Sequence, residues 1–177
     1  MRSQWSVGVV LVIPEPVGPE ITRIRADLGD PRAAGMPAHI TLLPPTLVDA
    51  EVVDPLRQYL RRVAADHPAM RVTLTGTQTF RPISEVVYLA LGEGAQACTD
   101  LGRAVCRGPV ASPSPFPFHP HVTVAHDLCP TTLDAVQAEY ATFSAGFRIT
   151  EMCLYRWEDA AAWQLDSRHR LSSGAHR

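Results

Sequence analysis

The chain has 177 residues, 46% of them hydrophobic and 19% charged, which suits one sizeable core and excludes a disordered or fibrous chain. A formal net charge of −2 excludes a long basic face for sequence-blind grip on nucleic acid, while a small or terminal nucleotide needs only a few local arginines. All sixteen basic residues are arginine, so Schiff-base catalysis, a P-loop lysine and a lysyl-nucleotide intermediate are excluded as well.

Residues 5–13 are rich in valine and predict a buried strand. The run is too short to span a membrane, and Pro14-Glu15-Pro16 follows it where a signal peptide would carry small residues. The expectation is a cytoplasmic protein without membrane contact. Ile21, Ile24 and Leu28 set a helical period over residues 20–28. A turn-rich stretch, 29–37, leads into a strand at 39–43, which Pro44-Pro45 is expected to stop. Residues 49–66 predict a strong amphipathic helix, with Val52, Val53, Leu56, Leu60 and Val63 on one face. Strands follow at 71–77 and 86–91, then a helix at 96–107. The proline-rich stretch 108–120 reads as a stiff surface loop before a strand at 120–125. A helix at 132–140 and a hairpin of 146–157 with 161–167 complete the pattern, and residues 172–177 are expected to fray. Cys98, Cys106, Cys129 and Cys153 lack metal or redox spacing and read as small buried residues of a reducing compartment.

Two stretches repeat one pattern, His39-Ile40-Thr41-Leu42 and His121-Val122-Thr123-Val124. A strand alternates its faces, so each histidine shares a face with its threonine while the apolar residues point the other way. Two such strands at one cleft offer two imidazoles and two hydroxyls. Opening a phosphodiester needs a base at one apical oxygen and an acid at the other, and histidine serves both roles near neutral pH. The threonine hydroxyls can donate to the phosphoryl oxygens. The element order also hints at a duplicated unit, which would bring the two motifs face to face.

The segments HITLLPP and FHPHVTVAH, with GTQTF and VVYLAL between them, resemble the two-histidine (2H) phosphoesterases, in the LigT-like branch of 2′-5′ RNA ligases and cyclic phosphodiesterases. The resemblance implies an α+β, bilobal pseudo-twofold fold over residues 1–177, with two antiparallel sheets lining a central cleft and helices outside. It implies metal-independent catalysis without a cofactor, on substrates ending in a 2′,3′-cyclic phosphate or carrying a 2′-5′ linkage. His39, Thr41, His121 and Thr123 take the positions of the family's catalytic residues. We read His39 as general acid to the leaving oxygen and His121 as general base for water, with the roles exchanged in ligation. The partner is a nucleotide or RNA end, met by a monomer. A non-catalytic module that binds the same ligands is the alternative.

The second motif departs from the family at His126, where many members carry arginine. A neutral imidazole does not replace a bidentate guanidinium, which implies a smaller substrate or a weaker phosphate grip. His126 also suits a plain strand end. Phe80, Tyr155 and Trp157 are the best-placed candidates for stacking on a base, and core packing is the stronger reading of each taken alone. Arg81, Arg148 and Arg156 suit phosphate contact or a solvated surface. His119, His121 and His126 admit a zinc reading, with no carboxylate or cysteine completing a familiar spacing.

Overall fold

The computed structural model describes residues 4–31, 33–111, 114–157 and 163–174. Strand β1 (Gln4–Val12) is buried on both faces, as its unbroken apolar run predicts. Val7, Val9 and Leu11 enter the main core, whereas Val10 joins a small cluster with Met36, Cys153 and Tyr155 on the opposite face of the sheet. Helix α1 (Val17–Asp27) begins three residues earlier than the period suggests and buries Ile21 and Ile24. Gly18 opens it because a Cβ there would lie 2.0 Å from the Ile13 carbonyl oxygen.

Strand β2 (His39–Asp49) runs straight through Pro44-Pro45 rather than ending there. Its pairing with β1 takes up one extra residue between Val7↔Thr46 and Val9↔Leu43, a bulge at the prolines. On its other side, among the described residues, β2 meets β5 at one residue pair, Ile40↔Val122, and beyond Leu43 that side is an edge, where proline's missing N–H costs no ladder bond. A short 3₁₀ turn (Ala50–Val52) and α2 (Val53–Asp66) occupy the predicted amphipathic stretch, with Leu56 and Leu60 fully buried.

The remaining elements are β3 (Met70–Thr79), β4 (Val86–Leu91), α3 (Ala95–Cys106), β5 (His121–His126), α4 (Pro130–Glu139), β6 (Ser144–Ile149), β7 (Glu151–Trp157) and β8 (Gln164–Arg170). Residues 146–157 are therefore two strands rather than one. β6 pairs with β3, while β7 pairs with β1 and makes the expected hairpin with β8. Ser172 does not fray: its N–H donates to the Ala64 and His67 carbonyls at 3.2 and 2.9 Å, and its own carbonyl accepts from the Ala69 N–H at 2.8 Å. Residues 175–177 of the expected tail lie outside the described residues.

All eight strands form one curled antiparallel sheet in the order β6-β3-β4-β5-β2-β1-β7-β8. This corrects the expectation of two sheets. The halves are joined through Ile40↔Val122, so the two motif strands are neighbours rather than walls facing across a gap. The register carries the internal symmetry. Val12 and Val10 lie opposite His39 and Thr41, as Ala90 and Tyr88 lie opposite His121 and Thr123. The units β1-α1-β2 and β4-α3-β5 are thus two copies of one strand–helix–strand motif. Each helix crosses the junction, α1 packing on β5 and α3 on β2.

One buried charge ties α2 to the sheet. The Asp166 side chain, 1% exposed, accepts from Arg57 on α2 through Nε at 2.7 Å and through Nη2, with Arg156 Nε 3.4 Å away. The Arg57 guanidinium holds the carboxyl below its ordinary range. Asp166→Ala strands two arginines and is expected to cost on the order of 2 kcal/mol, read as a lower midpoint in urea with an unchanged slope.

The cysteines divide. Cys98 and Cys153 are buried, and burial pushes their thiols up to about 12 and about 11. Cys129 contradicts the buried reading. It is exposed at the N-terminus of α4, where the Thr131 and Thr132 side chains pull its thiol down to about 7. Its backbone is needed as the helix cap, which holds the residue at the surface.

Candidate functional site

The period-2 alternation expected of the paired motifs is present. Ile40, Leu42, Val122 and Val124 are at most 1% exposed and face the helices. His39, Thr41, His121 and Thr123 are half-buried on the opposite face. The Ile40↔Val122 pair brings the two motif strands side by side, so His39 and Thr41, which flank Ile40, gather with His121 and Thr123, which flank Val122, as a four-residue square on that face.

Both histidines are oriented by the same local bond. The Nδ1 of His39 donates to the Pro37 carbonyl at 2.7 Å, and that of His121 to the His119 carbonyl at 2.8 Å. A carbonyl only accepts, so Nδ1 carries the proton in each ring and Nε2 is left as the working nitrogen. The backbone ahead of His39 is pinned from two sides. The Ala38 N–H donates to Thr22 Oγ1 at 3.0 Å, and the Ala38 carbonyl accepts from the Ile13 N–H at 2.9 Å.

Two chambers flank the square, with Thr41 lining both. The chamber beside His39 holds about 360 Å³ and is bordered by Arg25, Thr123, His126, Tyr155 and Trp163 among others. That beside His121 holds about 670 Å³ and is bordered by Phe80, Phe116, Phe118 and His119. His126 and Tyr155 thus sit on the His39 side and Phe80 on the His121 side. Phe80 stacks on Tyr88 at 4.3 Å and meets the His121 ring edge-on at 4.9 Å, so it braces that imidazole. Trp157 borders neither chamber and reaches the cleft only through its contact with Trp163 at 5.9 Å. Arg81 bonds Asp134 and Gln137, and Arg156 lies over Trp5 at 4.0 Å, so both are engaged away from the square. The His119 and His121 rings stack at 6.3 Å rather than converging, and no group of three or more His, Cys, Asp or Glu fit to hold a metal occurs among the described residues.

Sequence reasoning missed Arg25, Trp163 and Tyr88. Arg25 sits on the buried face of α1, where the helical period alone marks it as an anomaly. Trp163 and Tyr88 carry no signal beyond their aromaticity.

Burial pushes His39 down to about 4, with the Arg25 and His121 charges adding to the depression and the bond to Pro37 opposing it. Burial also lowers His121, against the bond to the His119 carbonyl. Both imidazoles are therefore neutral at pH 7. A histidine titrating near 6.5 when unfolded and near 4 when folded leaves the folded state binding fewer protons between those values. Its stabilising share is complete above pH 6.5 and is lost as pH falls toward 4. Tm is expected to drop over that window, and His39→Gln is expected to flatten the drop.

A curled sheet with two His-x-Thr strands set side by side about an internal twofold defines the class of LigT-like folds. Escherichia coli LigT, solved in complex with 3′-AMP, matches with a TM-score of 0.69 at 22% identity, covering 96% of this chain and 99% of LigT. A Thermus thermophilus protein matches with a TM-score of 0.66 at 18% identity over 97% and 100% of the two chains. The family model of the 2′-5′ RNA ligase superfamily matches residues 13–161, and the chain belongs to that superfamily. A relative from Geobacillus kaustophilus, named provisionally as a phosphoesterase, is 33% identical over 99 residues, 56% of this chain and 57% of the relative. One from Oceanobacillus iheyensis, similarly named, is 29% identical over 99 residues, 56% and 58% of the two chains. The aligned segment thus spans little more than half the length of these curated relatives. No helix among the described residues is long and apolar enough to cross a membrane.

Proposed function

We propose that this protein is a metal-independent phosphoesterase acting on 2′,3′-cyclic phosphate or 2′-5′ phosphodiester bonds of RNA ends or nucleotides. The observation that carries the reading is the square of His39, Thr123, Thr41 and His121, with both Nδ1 atoms committed to carbonyls and both Nε2 atoms left to exchange protons. The provisional phosphoesterase names of the relatives agree with it. So do the LigT complexes with 3′-AMP, ATP, NADP⁺ and phosphate.

One histidine takes a proton from water as its oxygen attacks phosphorus. The other gives a proton to the ribose oxygen as the P–O bond breaks, and a nucleoside monophosphate leaves. Thr41 and Thr123 donate to the phosphoryl oxygens as negative charge builds. The working state needs one neutral and one protonated imidazole. His39 is the more strongly depressed because it is buried beside the Arg25 guanidinium. In this reading the shared proton resides on His121, with His39 acting as base and His121 as acid, the reverse of the assignment read from the sequence.

A screen of 2′,3′-cyclic nucleotides and 2′-5′ dinucleotides, with product regiochemistry determined, tests the reading. Turnover insensitive to chelators supports it; tight binding with no product from any member overturns it. The kcat/KM profile is expected to be bell-shaped with its optimum below pH 6.5, because protonated histidine grows scarce as pH rises through the two depressed values. The kcat profile is expected to lie at higher pH, since a bound phosphate anion favours the charged imidazole.

A further inference from the structure

The tetrad as described has no positive charge at neutral pH. Two histidines are held neutral by burial, and two threonines carry only dipoles. A phosphodiester is an anion, and seating it at a half-buried site without a cation costs desolvation that hydroxyl dipoles do not fully return. A cation is nonetheless built into the wall. Arg25, on α1, has a side chain only 7% exposed and borders the chamber shared with His39, Thr41 and Thr123.

Its guanidinium is fixed at three points. Nε and Nη2 donate to Asp30 Oδ2 at 3.0 and 2.8 Å, and Nη1 donates to the Met36 carbonyl at 3.1 Å. Arginine has five N–H groups, so one remains on each terminal nitrogen, in the fork geometry that matches two oxygens of a phosphate. The Arg25 charge is felt at the tetrad, where it disfavours protonation of His39. Asp30 also faces His126 Nε2 at 3.4 Å.

We propose that Arg25 is the anion receptor of this site, taking the substrate's phosphoryl oxygens through its two uncommitted N–H groups while Asp30 and the Met36 carbonyl hold the fork in place. The assignment rests on the reading of the tetrad as a phosphate site. It also alters what the departure at His126 means. The phosphate grip comes from the first strand–helix–strand unit, through a helix residue, rather than from the end of the second motif.

The test uses inorganic phosphate, so that it does not depend on turnover. Phosphate is titrated into the wild-type protein while the Hε1 resonances of His39 and His121 are followed, and kcat/KM is measured on 2′,3′-cyclic AMP. Arg25→Met keeps the length of the stem without charge. It is expected to weaken phosphate binding at least 30-fold, to lower kcat/KM about 100-fold, and to raise the titration point of His39. Arg25→Lys keeps the charge without the fork and is expected to lose about tenfold in phosphate affinity. It also serves if Arg25→Met fails to fold. A folded variant of either kind with wild-type phosphate affinity overturns the assignment, as does a wild-type protein that binds no phosphate. Phosphate binding that depends on Arg25, with no cyclic phosphate opened, upholds the receptor and removes the phosphoesterase reading instead.

Discussion

His39→Ala and His121→Ala are each expected to lower kcat/KM on a 2′,3′-cyclic nucleotide by about 10²–10⁴-fold, with the far-UV circular dichroism retained. The two side chains act as one unit, so the double variant should lose little more than the worse single one. The proton's location separates their roles. A para-nitrophenyl phosphodiester has a leaving group that departs without being protonated. On that substrate His121→Ala, which removes the acid, should recover most of its loss. His39→Ala, which removes the base, should recover none. The reverse pattern would restore His39 as acid, and equal full activity in both variants would remove the two-histidine mechanism altogether.

Ile40→Ala is expected to cost on the order of 3 kcal/mol, lowering the folding constant by more than 100-fold. Ile40 is fully buried and forms, with Val122, the residue pair that joins the two halves of the sheet among the described residues. Shaving it removes core volume at the junction about which His39, Thr41, His121 and Thr123 gather. Urea unfolding reads the stability loss. A control separates the two effects: Leu60 is equally buried on α2, which packs against β8, β7 and α3. Leu60→Ala should cost a similar amount while leaving kcat/KM of the folded protein unchanged, whereas Ile40→Ala should lower both. Unaltered kcat/KM in folded Ile40→Ala would show that the square is held by other contacts.

The chain itself determined the element types, the paired motif and the face on which each motif residue lies. Alternation of His39, Ile40, Thr41 and Leu42 is enforced by strand geometry, and Leu56, Leu60 and Val63 are brought to one face by helical geometry. Such local periods are written in neighbouring residues and need no knowledge of the rest of the fold. Tertiary structure decided everything that depends on partners distant in sequence. Pro44-Pro45 ends a strand only where both sides must pair, and here one side is an edge. Residues 146–157 read as one apolar strand, but the break at Thr150 sends β6 to β3 and β7 to β1, at separate places in the sheet. The single pair Ile40↔Val122 turned two expected sheets into one and fixed the square of the site. Arg25 is the sharpest case. From its sequence neighbours it is one of sixteen arginines, and only the placing of Asp30 and the Met36 carbonyl beside α1, with His39 beyond them, makes it a buried cation at the cleft. Electrostatics follows position in space, and the proposed assignment of the histidine roles rests on it. Which imidazole holds the proton depends on burial and on Arg25, neither of which a repeated tetrapeptide can encode.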